Sequence, residues 1–129
     1  MTQDRRRAIE QDCARLVALY ANLNDAGRWA DVVALYAPDG RMARPTAPDE
    51  WTQGHDAILA AFLARPARKT RHICSNVVID VLSEREATGT SAMLLFTGDP
   101  SPKVGSFHDR FVRIEAGWRF AERRGSLTF

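Results

Sequence analysis

The sequence predicts an α+β fold, with helices first and a curved sheet after them, the helices covering one face of that sheet. Three observations predict it. An apolar stripe with a 3.6-residue period runs through the first two dozen residues. From Thr70 onward, long segments rich in β-branched and aromatic residues follow one another. Proline, glycine and aspartate cluster at the joints between these segments, where turns belong.

The first helix rests on Ile9, Cys13, Leu16, Val17, Tyr20 and Leu23, which share one helical face. Asp4 or Thr2 caps its start, and Gly27 ends it or bends it. Trp29, Val32, Val33 and Tyr36 predict a short second helix that Pro38-Asp-Gly40 stops. Arg41–Arg44 reads as a short strand, and residues 45–53 read as a loop punctuated by Pro45 and Pro48. Gly54–Leu63 reads as a third helix, closed by Arg65-Pro66. Strands are expected over Thr70–Leu82, Ala87–Thr97, Val104–Glu115 and Trp118–Arg124, the last two as a hairpin across Ala116-Gly117. Ile73, Val77, Ile79 and Val81 are expected on one face of their strand, with Cys74 and Val78 on the other.

Composition narrows the class. At 129 residues the chain is expected to be one domain, residues 1–129, long enough for a real core. Eighteen basic residues nearly balance sixteen acidic ones, which gives no reason to invoke nucleic acid or a membrane. No apolar run approaches the ~18 residues that span a bilayer. The start, Met1-Thr-Gln-Asp-Arg-Arg-Arg7, has no apolar segment behind it, so a cytoplasmic protein is expected. Cys13 and Cys74 lack metal or redox spacing and read as two reduced, buried thiols.

Two polar residues stand in apolar frames. Asp25 lies in Leu23-Asn-Asp-Ala-Gly-Arg-Trp29, where the first helix runs out. His72 lies in Arg71-His-Ile-Cys-Ser-Asn-Val77, where the first long strand begins. A carboxylate that orients an imidazole makes a general base, because imidazole titrates near neutral pH and the carboxylate fixes its tautomer. Taken singly, Asp25 also fits a helix-end cap and His72 a satisfied core histidine. Ser106 and His108 share a strand face. Trp51 and Met93 fit either a pocket wall or core.

The segments Tyr20–Trp29, Ala34-Leu-Tyr-Ala-Pro-Asp-Gly40, Gly54-His-Asp-Ala-Ile58, Arg71–Asn76 and Gly117-Trp-Arg-Phe120 together resemble the SnoaL-like branch of the NTF2-like superfamily. The resemblance covers nearly the whole chain. It implies a cone of three helices folded on a bent, mixed or antiparallel sheet around a pocket. It also implies that Asp25 and His72 fall where scytalone dehydratase and hexachlorocyclohexane dehydrochlorinase keep an Asp–His dyad. By the same comparison, Asn24 and Arg44 stand where scytalone dehydratase has two tyrosines. Ser91 stands for its second pocket histidine and His108 for its pocket asparagine. Arg123 falls near an arginine of the dehydrochlorinase pocket. The expected substrate-binding set is therefore Asn24, Arg44, Trp51, Ser91, Met93, His108 and Arg123. The other arginines of the last strands are expected on solvated faces, paired with Asp109, Glu115 or Glu122.

The resulting expectation is a lyase (a dehydratase or related elimination) or an isomerase, working without cofactor or metal on an apolar cyclic small molecule. The alternative is a non-catalytic ligand-binding module or a structural subunit like the β subunit of ring-hydroxylating dioxygenases. Because the long strands carry apolar residues on both faces, a homo-oligomer, dimer or trimer, is expected through the outer face of the sheet.

Overall fold

The computed structural model describes residues 1–127. In chain order the elements are α1 (Gln3–Asp25), α2 (Trp29–Val33), β1 (Tyr36–Ala43), β2 (Trp51–Gln53), α3 (His55–Leu63), β3 (Arg71–Val81), β4 (Glu86–Phe96), β5 (Lys103–Ile114) and β6 (Gly117–Ser126). The strands form one mixed sheet in the order β2-β1-β6-β5-β4-β3. All neighbours are antiparallel except β1 and β6, which run parallel. The sheet curves around the helices, as the α+β expectation requires.

Helix α1 begins and ends on explicit caps. The Thr2 hydroxyl accepts from the Arg5 N–H at 3.1 Å, satisfying one of the orphan donors of a helix start. At the other end Gly27 takes φ +68°. The Arg28 N–H then reaches back to the Leu23 carbonyl and the Gly27 N–H to that of Asn24, both at 3.0 Å. Such a Schellman closure needs a left-handed residue, which glycine adopts without a Cβ penalty. It makes Asp25 the last helical residue.

The stripe that predicted α1 is the stripe that is buried. Ile9, Cys13, Val17, Val32, Ile58, Phe111 and Phe120 are all at most 1% exposed. Burying each of the larger side chains contributes roughly 1.5–3 kcal/mol. Tyr20 packs edge-on against Tyr36, Phe62 and Phe120, an arrangement that suits the ring quadrupoles.

Two expectations change. Pro38-Asp-Gly40 does not stop a helix that includes Tyr36; it lies inside β1. Five steps of β1, from Tyr36 to Arg41, pass two of β6, from Phe120 to Glu122, so the extra residues form an irregular bulge. Gly40 is needed there, since a Cβ would lie 2.9 Å from the carbonyl oxygens of Ala37 and Phe120. The loop after it contains a short strand, β2, paired with β1.

Two single-residue bulges interrupt the alternation of the later strands. In β3, Ser75 faces Ala92 but Val78 faces Thr90, leaving one extra residue. Asn76 sits in this bulge with φ +53°, a left-handed value that asparagine tolerates better than most. Cys74, Val77 and Ile79 therefore all pack against the core, whereas Ile73 and Val78 are exposed. The expected grouping of Ile73 with Val77, Ile79 and Val81 fails for this reason. In β6, Arg110 faces Glu122 and Phe111 faces Phe120, so Ala121 is the extra residue. Trp118 and Phe120 face inward before it, and Arg123 does so after it.

Both cysteines are free; Cys13 is buried and Cys74 partly so. Burial, with help from Asp12, pushes the Cys13 thiol up to about 12. Among the described residues, no helix is long and apolar enough to cross a membrane.

Candidate active site

The bent sheet and the end of α1 enclose a cavity of about 280 Å³. Asn24, Tyr20, Tyr36, His72, Met93 and Arg123 are among the residues that line it.

Asp25 and His72 meet at its edge. Asp25 Oδ1 lies 2.5 Å from His72 Nδ1, with 11% and 13% of the two side chains exposed. The contact is fixed from three directions. Oδ2 accepts the His72 backbone N–H at 2.8 Å, and Oδ1 also accepts the Thr70 hydroxyl at 2.9 Å. A carboxylate at a helix C-terminus faces the negative end of the helix dipole. Three donors, one from Thr70 just before β3 and two from His72, offset that penalty. A carboxylate only accepts, so Nδ1–H is the donor, and in the neutral ring the lone pair is then on Nε2.

Arg123 and Asp109 form a second polar pair, on adjacent strands and in register. Arg123 Nε is 3.4 Å from Asp109 Oδ1, and each side chain is 1% exposed. The Arg123 guanidinium lies 3.8 Å from the ring centre of Phe107, 4.4 Å from that of Tyr20 and 4.9 Å from that of Phe120. These aromatic faces hold the charge by cation–π attraction. Neither side chain makes a well-formed hydrogen bond with another described residue, and the same is true of the buried Ser91 hydroxyl. Burial raises Asp109 to about 6, with Arg123 opposing the rise.

Two tyrosines complete the wall. Their hydroxyls are 3.0 Å apart, and that of Tyr20 also donates to the Met42 sulfur at 3.6 Å. Burial raises Tyr20 above the usual phenol value and Tyr36 well above it, so both stay neutral.

The expected binding residues divide. Asn24, Arg44, Met93 and Arg123 line the cavity. Ser91 is buried on the inner face of β4 beside it. His108 and Trp51 are not in it. His108 is exposed on β5 between Phe107 and Asp109, which are buried. It opens onto a groove across the other face of the sheet. Trp51 lies in the same groove, with the guanidinium of Arg41 3.9 Å from its ring centre and that of Arg124 5.1 Å away. On that face Arg41 and Arg110 pair with Glu122 at 2.8 and 3.0 Å. Asp109 was expected among such solvated pairs and is instead buried with Arg123.

Tyr20, Tyr36 and Asp109 are the site residues the sequence did not suggest. The two tyrosines read as helix-stripe residues. Phe107 and Phe111, at the same parity as Asp109, are the signal that could have placed its side chain inside. Among the described residues, no three His, Cys, Asp or Glu side chains are grouped to ligate a metal.

Comparison with known proteins agrees with this architecture. The profile of the SnoaL-like domain matches residues 5–124, so the chain belongs to the SnoaL-like family. Its fold is similar to a provisionally named scytalone dehydratase from Novosphingobium aromaticivorans, with TM-score 0.85 and 23% identity over 99% of this chain and 89% of that one. It is also similar to an NTF2-like protein with a cystatin-like fold from the same organism, with TM-score 0.84 and 23% identity over 95% and 83% of the chains. A provisionally named aromatic ring hydroxylase, again from that organism, has TM-score 0.81 and 16% identity over 95% and 90%. A comparison with curated proteins finds no match. At these identities the solved structures establish the fold.

Proposed function

We propose that the protein is a lyase or isomerase that uses the Asp25–His72 pair as a general base on a small cyclic substrate, without a cofactor. The 2.5 Å contact between Asp25 Oδ1 and His72 Nδ1 carries this reading. It fixes the tautomer that leaves Nε2 basic, at the wall of a cavity. Nε2 takes a proton from a carbon or hydroxyl of the bound ring. Asp25 stabilises the imidazolium that forms. Oxygen departing from the substrate, or turning into an enolate, is held by Arg123, whose Nε, Nη1 and Nη2 make no well-formed hydrogen bond with another described residue. Return of that proton from Nε2 to the departing oxygen, which leaves as water, gives elimination; its return to another carbon gives isomerisation.

The test is turnover. Cyclic β-hydroxyketones and cyclic β,γ-unsaturated ketones are incubated with the protein in D₂O, and NMR follows water loss, double-bond shift and C–H exchange. His72→Ala should lower the rate by at least ~10²-fold, the usual size of a general-base contribution. Equal rates in the parent and in His72→Ala would remove the mechanism. Saturable binding without turnover or exchange would instead favour a ligand-binding module.

A homo-oligomer belongs to the same proposal. Ile73, Leu94 and Val104 lie side by side across β3, β4 and β5, and all three are exposed. Phe96 extends this apolar stripe. Covering it with a second copy removes the patch from water. Light scattering checks this directly, and Leu94→Lys should shift the species towards monomer.

A further inference from the structure

We propose that the natural ligand of the cavity is an anion: an apolar ring body that enters the cavity, carrying a carboxylate or phosphate ester that stays at the mouth against Arg44, Arg65, Arg68 and Lys103. This rests on the cavity being the ligand site, as proposed above, but not on His72 acting as a base.

The charge of the lining is one-sided. Arg44, Arg65, Arg68, Lys103 and Arg123 all line the cavity, and among the described residues no carboxylate does. The whole chain is nearly balanced, so this is a local excess. Arg123 has its counter-charge in Asp109. The other four have no ion pair with any described carboxylate. Asp25, the nearest acid in the site, is already engaged by Thr70 and His72.

Three separate parts of the chain supply these cations. Arg44 directly follows β1, Arg65 and Arg68 lie between α3 and β3, and Lys103 opens β5. Their convergence is a product of the fold and not of a basic run in the sequence. Two of them are fixed in place. Arg44 donates to the Ala61 carbonyl, and the Arg65 guanidinium lies 4.6 Å from the ring centre of Phe62. Phe62 is itself stacked on Trp29. Burial, with Arg44 and Arg68 nearby, lowers the Arg65 pKa. Like charges gathered around one cavity, one of them partly desolvated, destabilise the empty site. An oxyanion relieves that repulsion, and guanidinium groups present paired donors that match it.

The experiment compares three probes with one ring: 2-naphthoate, 2-naphthamide and 2-naphthyl phosphate. Their binding is titrated calorimetrically to the full chain and to His72→Ala, Arg68→Gln/Lys103→Gln and Arg65→Gln. Naphthoate or naphthyl phosphate should bind at least ~10-fold tighter than the amide at low salt, and the advantage should shrink in about 0.5 M NaCl. The tighter of the two anions identifies the group. The advantage should fall several-fold in Arg68→Gln/Lys103→Gln, whose substitutions are at exposed positions that a folded chain tolerates. Arg65→Gln should lower it further. His72→Ala should keep it, so a failed general base and a failed anion site give different results. Amide binding as tight as the acid, an advantage unchanged in all the cation variants, or no binding of either anion at millimolar concentration each overturn the proposal.

Discussion

Arg123 and Asp109 face each other across β5 and β6 with their charges inside the molecule, Nε to Oδ1 3.4 Å, each side chain 1% exposed. A buried pair of this kind stabilises little in itself, because desolvation offsets the attraction. Leaving one member alone is what costs. Arg123→Met should destabilise by about 3–5 kcal/mol, because it leaves the Asp109 charge buried alone, whereas Arg123→Met/Asp109→Leu should recover most of the loss. Denaturant unfolding of the two variants measures this. A double variant no more stable than Arg123→Met would contradict the pairing.

The same pair gives a pH dependence with a definite sign. Asp109 is raised to about 6 from an ordinary 3.8. A raised acid favours its protonated form in the folded state. Its contribution to stability is therefore complete below the unfolded value and is lost as pH climbs through about 6. Between about pH 4 and pH 7, the stability of the parent relative to Asp109→Asn should fall by about 2–3 kcal/mol. Unfolding curves for both proteins across that range check it; a difference that stays flat or grows with pH contradicts it.

The Asp25 carboxylate holds three donors, and two of them belong to His72. Asp25→Ala should destabilise by about 1–3 kcal/mol, the cost of orphaned, partly buried donors. The Nδ1 proton of His72 should give a low-field NMR resonance in the parent that disappears in Asp25→Ala. A resonance unchanged by that substitution would show that the carboxylate is not its acceptor.

His108 and Trp51 supply a negative control. Both lie on the far side of the sheet from the cavity. His108→Ala and Trp51→Ala should leave probe binding within about twofold of the parent, since surface substitutions seldom disturb a distant site. A large loss in either would place the ligand in the outer groove.

The main elements were legible because their periods are strong. The α1 stripe and the long β-rich segments leave few alternatives. What the sequence hid was the first half of β1, since Pro38-Asp-Gly40 carries the signature of a stop and only Arg41–Arg44 read as strand. Asp25 and His72 stood out by their frames. The sidedness of the strands did not. Ser106 to Phe111 alternate polar and aromatic residues, so either face can be read as the inner one until the phenylalanines on one parity are given weight. For Arg123, strict alternation from Trp118 and Phe120 would put Glu122 inside instead.

Asn76 offers a direct check on the β3 bulge. With φ +53°, Asn76→Gly should be nearly neutral, and Asn76→Val should destabilise by about 1–2 kcal/mol through its clash in the left-handed region. Thermal unfolding separates the two; equal stability would mean the bulge lies elsewhere.

The two bulges act as parity switches between a strand's ends. In β3, the residues before Asn76 hand His72 to the cavity while those after it hand Val77, Ile79 and Val81 to α1. In β6, Ala121 lets Trp118 and Phe120 serve the core and still delivers Arg123 to the same interior. Two residues that touch no ligand thus set the address of the histidine and of the buried arginine. Removing either bulge residue would not shorten a strand so much as turn half of it inside out. A change of length inside either strand would therefore move a reactive group to the other face of the sheet, whereas a change at its ends would not.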